Sequence, residues 1–201
     1  MKAIVRPLLF VLLLALAAPA QELSQEDLEK GVKHLTGTRD AIVEATRNFS
    51  AAQWNFKPAP ERWSVAECLE HITVTEEFLF KMVSDDMKKP PAEPSDPTAE
   101  KVADDKVLTM VTDRSQRFQA PEPVRPTGRW GTPQDTLKEF LELRARTLDY
   151  LKSTPGLRAH ISDSPLGKLD AYQRLLFISG HSERHFKQMQ EVMADANFPK
   201  E

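Results

Sequence analysis

The sequence is poor in cysteine and shows no excess of basic charge. Cys68 is the single cysteine, so a disulfide framework within the chain is excluded and core packing must stabilise the fold. Acidic residues outnumber basic ones by 30 to 27, and the basic residues form no stripe, which argues against a nucleic-acid partner. A phosphate-binding glycine loop and a serine nucleophile motif are also missing.

Long apolar runs are missing beyond the N-terminus, where Leu8 to Ala18 follows a short basic start. This run is shorter than the roughly 20 residues of a membrane-spanning helix, and the small residues of "APA" precede Gln21. Residues 1–20 are therefore predicted to be a signal peptide cleaved after Ala20, rather than a membrane anchor. The mature chain is then an exported protein, periplasmic or extracellular, with no membrane span. It has 25 basic and 30 acidic residues, a net charge of about −5.

What the chain does have is four segments with apolar residues at helical spacing, and little that alternates as a strand does. The segments are Gln25–Asn48, Ser64–Met87, Pro133–Thr154 and a last one from about Lys168 to Ala194. Ser24, Ser64 and Thr132 are placed as N-caps, and Ser64 with Glu67 forms a capping-box pattern. Residues 21–201 are predicted to form one all-α domain.

The connection between the second and third helices is long and rich in proline. Residues 88–101 read "KKPPAEPSDPTAEK", which is typical of an exposed crossover, and residues 104–118 are expected to add a short helix. The predicted fold is an up-down-type four-helix bundle with a long crossover between helices two and three. Bundles of this kind build metal sites in their interiors.

Two of the five histidines, His181 and His185, are four residues apart on the last helix, so both project from one side of it. Apolar residues border them on the same stripe, which predicts that their rings face inward or into a cleft. His71, in the middle of the second helix, is the natural third ligand. Three neutral imidazoles with one open position suit a catalytic zinc ion, and also nickel, cobalt or iron. The alternative for His71 is a hydrogen-bonded core histidine.

Other residues near these histidines leave alternatives open. Cys68 is either a soft ligand or small core filling, and His34 is a less favoured candidate for contact with the ion. His160 is expected to be a surface or capping residue. Three glutamates are either acceptors that orient imidazole N–H groups or parts of solvated helix faces; they are Glu67, Glu70 and Glu183.

The stretches "PAPERWSVAECLEHITVTEEFLF" and "SPLGKLDAYQRLLFISGHSERHFKQMQEV" resemble the DinB-like superfamily of metal-binding four-helix bundles. The likeness covers about residues 24 to 195. It rests on the Trp-Ser pair before a helix with a central histidine, and on the His-x-x-x-His of the last helix followed by glutamine. The resemblance implies that the family's metal-binding histidines fall on His71, His181 and His185, with zinc or nickel bound and water completing the shell. An exported location and the long proline-rich insertion depart from the family pattern.

Two functions follow as hypotheses. The first is a metal-dependent transferase or hydrolase that acts on a small-molecule substrate; activities understood in the superfamily include thiol-dependent transfer, which an exported location does not favour. The second is a non-enzymatic, stress-related module that binds a metal or a small ligand. A third interpretation, histidines serving only as core residues, predicts ring nitrogens too far apart to share an ion. A homodimer is also expected from the resemblance.

Overall fold

The computed structural model describes residues 22–92, 101–116 and 118–200, and this part of the chain is mainly helical. The predicted signal peptide and its cleavage point lie outside the described residues. The helices are α1 (Gln25–Thr46), α2 (Ala51–Asn55), α3 (Val65–Asp86), α4 (Asp104–Thr112), α5 (Pro133–Ser153) and α6 (Ala171–Met193); a 3-10 turn spans Glu122–Val124, and two strands are β1 (Ile161–Ser164) and β2 (Gly167–Asp170). The four long helices α1, α3, α5 and α6 form a bundle, which confirms the predicted all-α fold class.

The N-caps that the sequence predicts are present, because each supplies a side-chain oxygen to a free backbone N–H of the first turn. The Ser24 hydroxyl accepts from the backbone of Asp27 in α1, and the Thr132 hydroxyl accepts from the backbone of Asp135 in α5. Ser64 forms the full capping box with Glu67 at the start of α3. The start of this helix sets the position of His71, two turns further on.

The last helix begins later than predicted. We expected it to start near Lys168, whereas residues 161–170 form an antiparallel hairpin and α6 starts at Ala171, capped by Asp170. Gly167 at the hairpin turn has φ of +104°, a conformation that favours glycine. Each strand is only four residues long, too short for a period of two to stand out from the helical pattern that follows it.

The two middle helices run in the same direction. One apolar cluster joins the first half of α1 and α6 to the second half of α3 and α5, and a second cluster joins the opposite halves. Helices α3 and α5 are therefore parallel to each other and antiparallel to α1 and α6. α3 packs on α5 and α6, and α1 packs on the same two helices from the opposite side of the bundle. The long connection after α3 returns the chain along the bundle, which makes this parallel pair feasible.

Helix α4, within that connection, confirms the short helix expected between residues 104 and 118. It packs on α6, where Gly180 lets the helices approach: a Cβ atom there would lie 3.3 Å from Val111. The N-terminal side of α4 also meets the hairpin, since the backbone N–H of Val102 donates to the carbonyl of Lys168. In the described part of the chain, no helix has an 18-residue stretch apolar enough to cross a membrane.

A buried polar layer crosses the middle of the bundle. Arg144 of α5 is fully buried, and its guanidinium donates to Glu76 of α3 at 2.7–3.1 Å. The same guanidinium donates to the Leu35 carbonyl and Thr38 hydroxyl of α1, and to the Ser182 hydroxyl of α6 at 2.8 Å. This Arg144 layer links all four long helices and lies beside the helix turn that carries His181.

Candidate metal centre

The structure brings the three predicted histidines together at one place between α3 and α6. His71 lies near the start of α3, and His181 and His185 lie in the second half of α6. Because these neighbouring helices are antiparallel, the start of one meets the end of the other. The rings of His181 and His185 are 4.4 Å apart between centroids, as expected for residues one helical turn apart on the same side.

The distances between the ring nitrogens are those that a shared ion requires. His71 Nε2 lies 3.2 Å from His181 Nε2 and 3.2 Å from His185 Nε2. Nitrogen ligands about 2.0–2.1 Å from a tetrahedral ion lie about 3.3–3.4 Å apart, so the spacing fits a zinc-sized divalent cation. Three ligand atoms within 4.8 Å of one another make this the candidate metal centre of the described residues.

Hydrogen bonds at the opposite ring nitrogens orient two of the imidazoles. His71 Nδ1 lies 2.6 Å from the backbone carbonyl of Val124, and His185 Nδ1 lies 2.9 Å from the side-chain oxygen of Gln188. Both partners are acceptors, so each Nδ1 carries the proton and donates it. The Nε2 lone pair of each ring is then directed toward the other histidines, in the form that binds a metal.

Burial keeps the three imidazoles neutral. It lowers the pKa of His71 and holds the pKa of His181 well below its ordinary value, with the neighbouring His185 and His71 lowering the latter further. Burial and the proximity of His71 lower the pKa of His185 to about 3. Near neutral pH all three therefore keep a lone pair that can bind a cation, without first losing a proton.

Aromatic side chains surround the cluster on two sides. The ring of Trp63, just before the cap of α3, lies 4.8 Å from His71 and 6.1 Å from His185 between centroids. Phe177 stacks on His181 with its centroid 6.5 Å away and an interplanar angle of 15°. These rings limit the rotation of the imidazoles and lower the polarity of their surroundings. The Trp63 contact gives the Trp-Ser pair, identified in the sequence, a structural role at the site.

The crossover is attached to α3 beside the cluster by Glu70, which is buried. Its carboxylate accepts from the backbone N–H groups of Thr127, Gly128 and Arg129 at 2.8–3.0 Å. The turn depends on Gly128, whose φ is +76°. This anchored segment begins just after Val124, the residue that accepts the His71 hydrogen bond. Glu70 therefore fixes the loop that orients His71, without contacting the imidazole through its own carboxylate.

The remaining candidates lie outside the cluster. Cys68 is fully buried in the apolar cluster with Leu69, and burial raises the pKa of its thiol to about 12, which supports core filling. His34 is half-buried on α1, and neither it nor Cys68 belongs to the group of ligand atoms found among the described residues. His160 hydrogen-bonds the Asp86 carbonyl at 3.2 Å.

Two of the glutamates have ordinary surface roles. Glu67 completes the capping box and pairs with Lys57 at 2.9 Å, and Glu183 pairs with Lys187 at 2.7 Å. Sequence reasoning missed the Val124 carbonyl and the Arg144 layer altogether. A backbone acceptor leaves no signal in side-chain identity, whereas Glu76 and Arg144 stand on the apolar stripes of their helices and could have been noticed there.

The fold and the site place this protein in a class. It is a four-helix bundle with two parallel middle helices and a candidate metal centre of three imidazoles. A family model for the DinB superfamily matches residues 34–189, and the chain belongs to that superfamily. The uncharacterized protein YuaE of Bacillus subtilis (strain 168) is 24% identical over 148 residues, covering 73% of this chain and 86% of YuaE.

Among solved structures, the chain is similar to YfiT from Bacillus subtilis, with a TM-score of 0.56 and 14% identity. The match covers 88% of this chain and 91% of that one. YfiT is described as a probable metal-dependent hydrolase with an unusual four-helix bundle topology. At this identity the likeness establishes the fold alone.

Proposed function

We propose that His71, His181 and His185 bind a divalent metal ion, zinc or nickel, and that the chain is a metal-dependent hydrolase. The observation that carries the proposal is the convergence of three Nε2 atoms, with 3.2 Å from His71 to each of the other two. The hydrogen bonds at Nδ1 of His71 and His185 direct two Nε2 lone pairs at one point, where they repel each other unless a proton or a cation lies between them. The donor set and its spacing both fit a metal ion.

Three protein ligands, rather than four, favour a catalytic over a storage or structural role. Closed structural sites use four protein side chains, and the cluster in the described residues contains three. A bound divalent ion would supply Lewis acidity and lower the pKa of water to near neutrality. The chain itself holds the imidazoles through Val124 and Gln188, and shields them with Trp63 and Phe177.

Hydrolysis is favoured over thiol transfer for two reasons. The structurally similar YfiT is described as a probable metal-dependent hydrolase, and the N-terminal run supports export to a compartment where thiol cofactors are often scarce. We include export in the proposal, with residues 1–20 removed as a signal peptide. The intact mass and N-terminal sequence of the protein recovered after expression of the full chain test this part, with Gln21 expected as the first residue.

Elemental analysis of the mature chain, purified without a histidine tag, tests the metal site. We expect about one divalent ion per chain, and a loss of most of it in both His71→Ala and His185→Ala. His34→Ala and His160→Ala are matched controls, because they remove histidines outside the cluster and should retain the ion. Metal at wild-type stoichiometry in both cluster variants would contradict the assignment.

A substrate panel then separates the possible reactions. The metal-loaded chain is tested on ester, amide and phosphoester substrates and, separately, on thiol-transfer pairs. Turnover on the hydrolase panel that disappears in His71→Ala supports the proposal. Activity confined to thiol transfer would assign the transferase function instead, and metal binding with no turnover in either panel would favour the non-enzymatic module.

A further inference from the structure

The side chains that form the histidine cluster, and the acceptors that orient two of them, are all neutral. The cluster consists of three imidazoles. The acceptor behind His71 is the backbone carbonyl of Val124, and the acceptor behind His185 is the side-chain amide of Gln188. Metal-binding histidines often donate to a carboxylate instead, which places a negative charge behind the ring. A divalent ion bound here would therefore keep positive charge that neither its ligands nor these two acceptors neutralise.

Arg184, on α6, adds positive charge beside this neutral centre. It directly precedes His185 and follows His181 by three residues, so its side chain starts next to both imidazoles on the surface of the helix. After burial and the neighbouring histidines, the positive charge of Arg184 further lowers the pKa of His181 and His185, and Arg114 adds to the effect on His185. The charge of Arg184 therefore acts on the cluster.

The direct hydrogen bonds of Arg184 do not neutralise this charge. Its guanidinium donates to the backbone carbonyls of Asp113 and Gln116, the second at 2.8 Å. The carboxylate of Asp113 is close enough to attract Arg184, but it is exposed and accepts from the backbone N–H and the hydroxyl of Ser115 at 2.8 and 2.9 Å. Water screens the charge of such an exposed group, so the Arg184 charge is only partly offset.

The other charges near the cluster are paired with one another. Arg114 donates to the backbone carbonyl of Arg184 at 3.2 Å, and to both carboxylate oxygens of Glu191 at 2.9 Å. Glu191 also accepts from Arg62 at 3.3 Å, so two arginines share one carboxylate. On the α3 side, the carboxylate of Glu70 is bound by three backbone N–H groups. The balance of charge on the α6 side of the cluster is therefore positive.

This positive side of the cluster is also the side that solvent reaches. His181 is half-buried, as are Phe177, which stacks on it, and Arg184. The three residues follow one another along one side of α6, one helical turn or less apart. A ligand that approaches His181 from solvent therefore meets the field of Arg184 as it reaches the cluster.

We propose that Arg184 makes the metal centre selective for anionic oxygen ligands, so that the substrate carries a negatively charged group, such as a carboxylate, beside its reacting bond. This inference rests on the proposed metal site and names the substrate class of that site. Arg184 acts through its charge rather than as a metal ligand. The neutral acceptors Val124 and Gln188 contribute, because they leave the positive charge of the ion available to the anion.

The test uses the purified protein loaded with Co²⁺, whose visible absorption reports on the coordination shell. Acetate is the anionic probe and imidazole the neutral one, and both are titrated at constant ionic strength. Arg184→Met removes the charge, and Arg184→Lys keeps it. Arg146→Met is the matched control, since it removes an exposed arginine charge from α5. Cobalt content is measured for every variant before titration.

We expect Arg184→Met to bind cobalt at least as tightly as the wild type, because a repelling positive charge is removed. Its acetate affinity should fall about tenfold, the effect of removing one partly screened unit charge, while its imidazole affinity stays the same. Arg184→Lys should recover most of the acetate affinity, and Arg146→Met should match the wild type with both probes.

A second variant adds negative charge instead of removing positive charge. Gln188→Glu places a carboxylate behind His185, and should strengthen cobalt binding while it weakens acetate binding. Gln190→Glu is its control, because Gln190 is exposed on the same helix and should change neither affinity. Opposite effects on the cation and the anion distinguish an electrostatic role from damage to the fold, which weakens both.

An unchanged acetate affinity in Arg184→Met would overturn the inference and leave the metal site standing. Equal losses of acetate and imidazole affinity would also overturn it, because Arg184 would then have only a structural role. A wild-type protein that binds no cobalt would refute the proposed metal site, and the role of Arg184 with it.

Discussion

Two buried polar clusters lie within the same bundle, and they differ in whether the protein satisfies them. In the Arg144 layer, a cationic guanidinium meets the carboxylate of Glu76 on α3 and neutral acceptors on α1 and α6. In the histidine cluster, three neutral imidazoles meet through their Nε2 atoms, with His71 Nε2 3.2 Å from each of the other two. The first cluster pairs a cation with an anion, whereas the second brings together three groups that can each donate a lone pair to a cation. We infer that the first stabilises the fold and that the second binds a cation.

The largest expected effect comes from breaking the complete cluster. Arg144→Met leaves the Glu76 carboxylate buried without its cation, and should lower the free energy of unfolding by about 3–5 kcal/mol. Arg146→Met is the matched control, since this exposed residue of the same helix pairs with Glu139 at 3.5 Å and should change stability by about 0.5 kcal/mol or less. Urea unfolding of the metal-free proteins measures both, and equal midpoints for the two variants would contradict the role of the layer.

The histidine cluster should show the opposite behaviour, gaining stability only when an ion is supplied. Zinc at about 100 times its dissociation constant should raise the free energy of unfolding of the wild type by about 2.7 kcal/mol. His185→Gln should lose most of this gain, and Arg144→Met should retain it if the variant remains folded. Thermal unfolding with and without zinc checks the prediction; a gain of the same size in His185→Gln would count against the cluster as the binding site.

A smaller effect is expected from the support around the cluster. Glu70→Gln removes the carboxylate that anchors backbone N–H groups next to Val124, so the imidazole of His71 loses its fixed orientation. Zinc affinity should fall about tenfold, the lower end of the usual effect of such supporting residues. Glu77→Gln is the control, because Glu77 is exposed and contacts the same loop only through Arg129. Competition with a chelator dye measures both, and similar affinities would exclude a positioning role for Glu70.

The smallest effect concerns pH in the metal-free protein. Burial holds the pKa of His185 at about 3, below the ordinary value of about 6.5, so the unfolded chain takes up the proton first as pH falls. The stability that neutral His185 contributes is present above about pH 6.5 and is lost progressively as pH falls toward 3. Between pH 7 and pH 6 the loss should be about 0.7 kcal/mol for this residue.

Comparison of wild type and His185→Gln by urea unfolding at the two pH values isolates that contribution. The wild type should lose more stability than the variant over this range. The same loss in both proteins would mean that His185 is not kept neutral by the fold.

The sequence predicted the helices and the three histidines because both depend on local spacing. Ser64 and Thr132 identify their helix starts within a few residues, and His181 and His185 share a side by helical geometry alone. The direction of α5 relative to α3 was harder to predict from the sequence, because it depends on the path of the connection between them. The hairpin before α6 was missed for a related reason, because its pairing joins residues across a turn in very short strands.

The surroundings of the site depend on tertiary contacts that no spacing reveals. In the sequence, Glu70 is not distinguishable from the other charged residues of its helix. In the structure, its carboxylate accepts hydrogen bonds from three backbone N–H groups of a loop 57 to 59 residues away. The partner of His71 is a carbonyl, which every residue possesses, so Val124 carries no distinguishing signal. The three histidines that converge could be predicted from the sequence, and the backbone groups that orient them could not.

X-ray absorption at the zinc edge of the zinc-loaded protein tests the central claim most directly. Three imidazole nitrogens should appear at about 2.0–2.1 Å, together with a light atom that does not come from the protein, and without sulfur at about 2.3 Å. His71→Ala should remove one imidazole or the ion itself. A sulfur ligand, which would implicate Cys68, or a zinc shell without imidazole nitrogens would contradict the assignment of His71, His181 and His185.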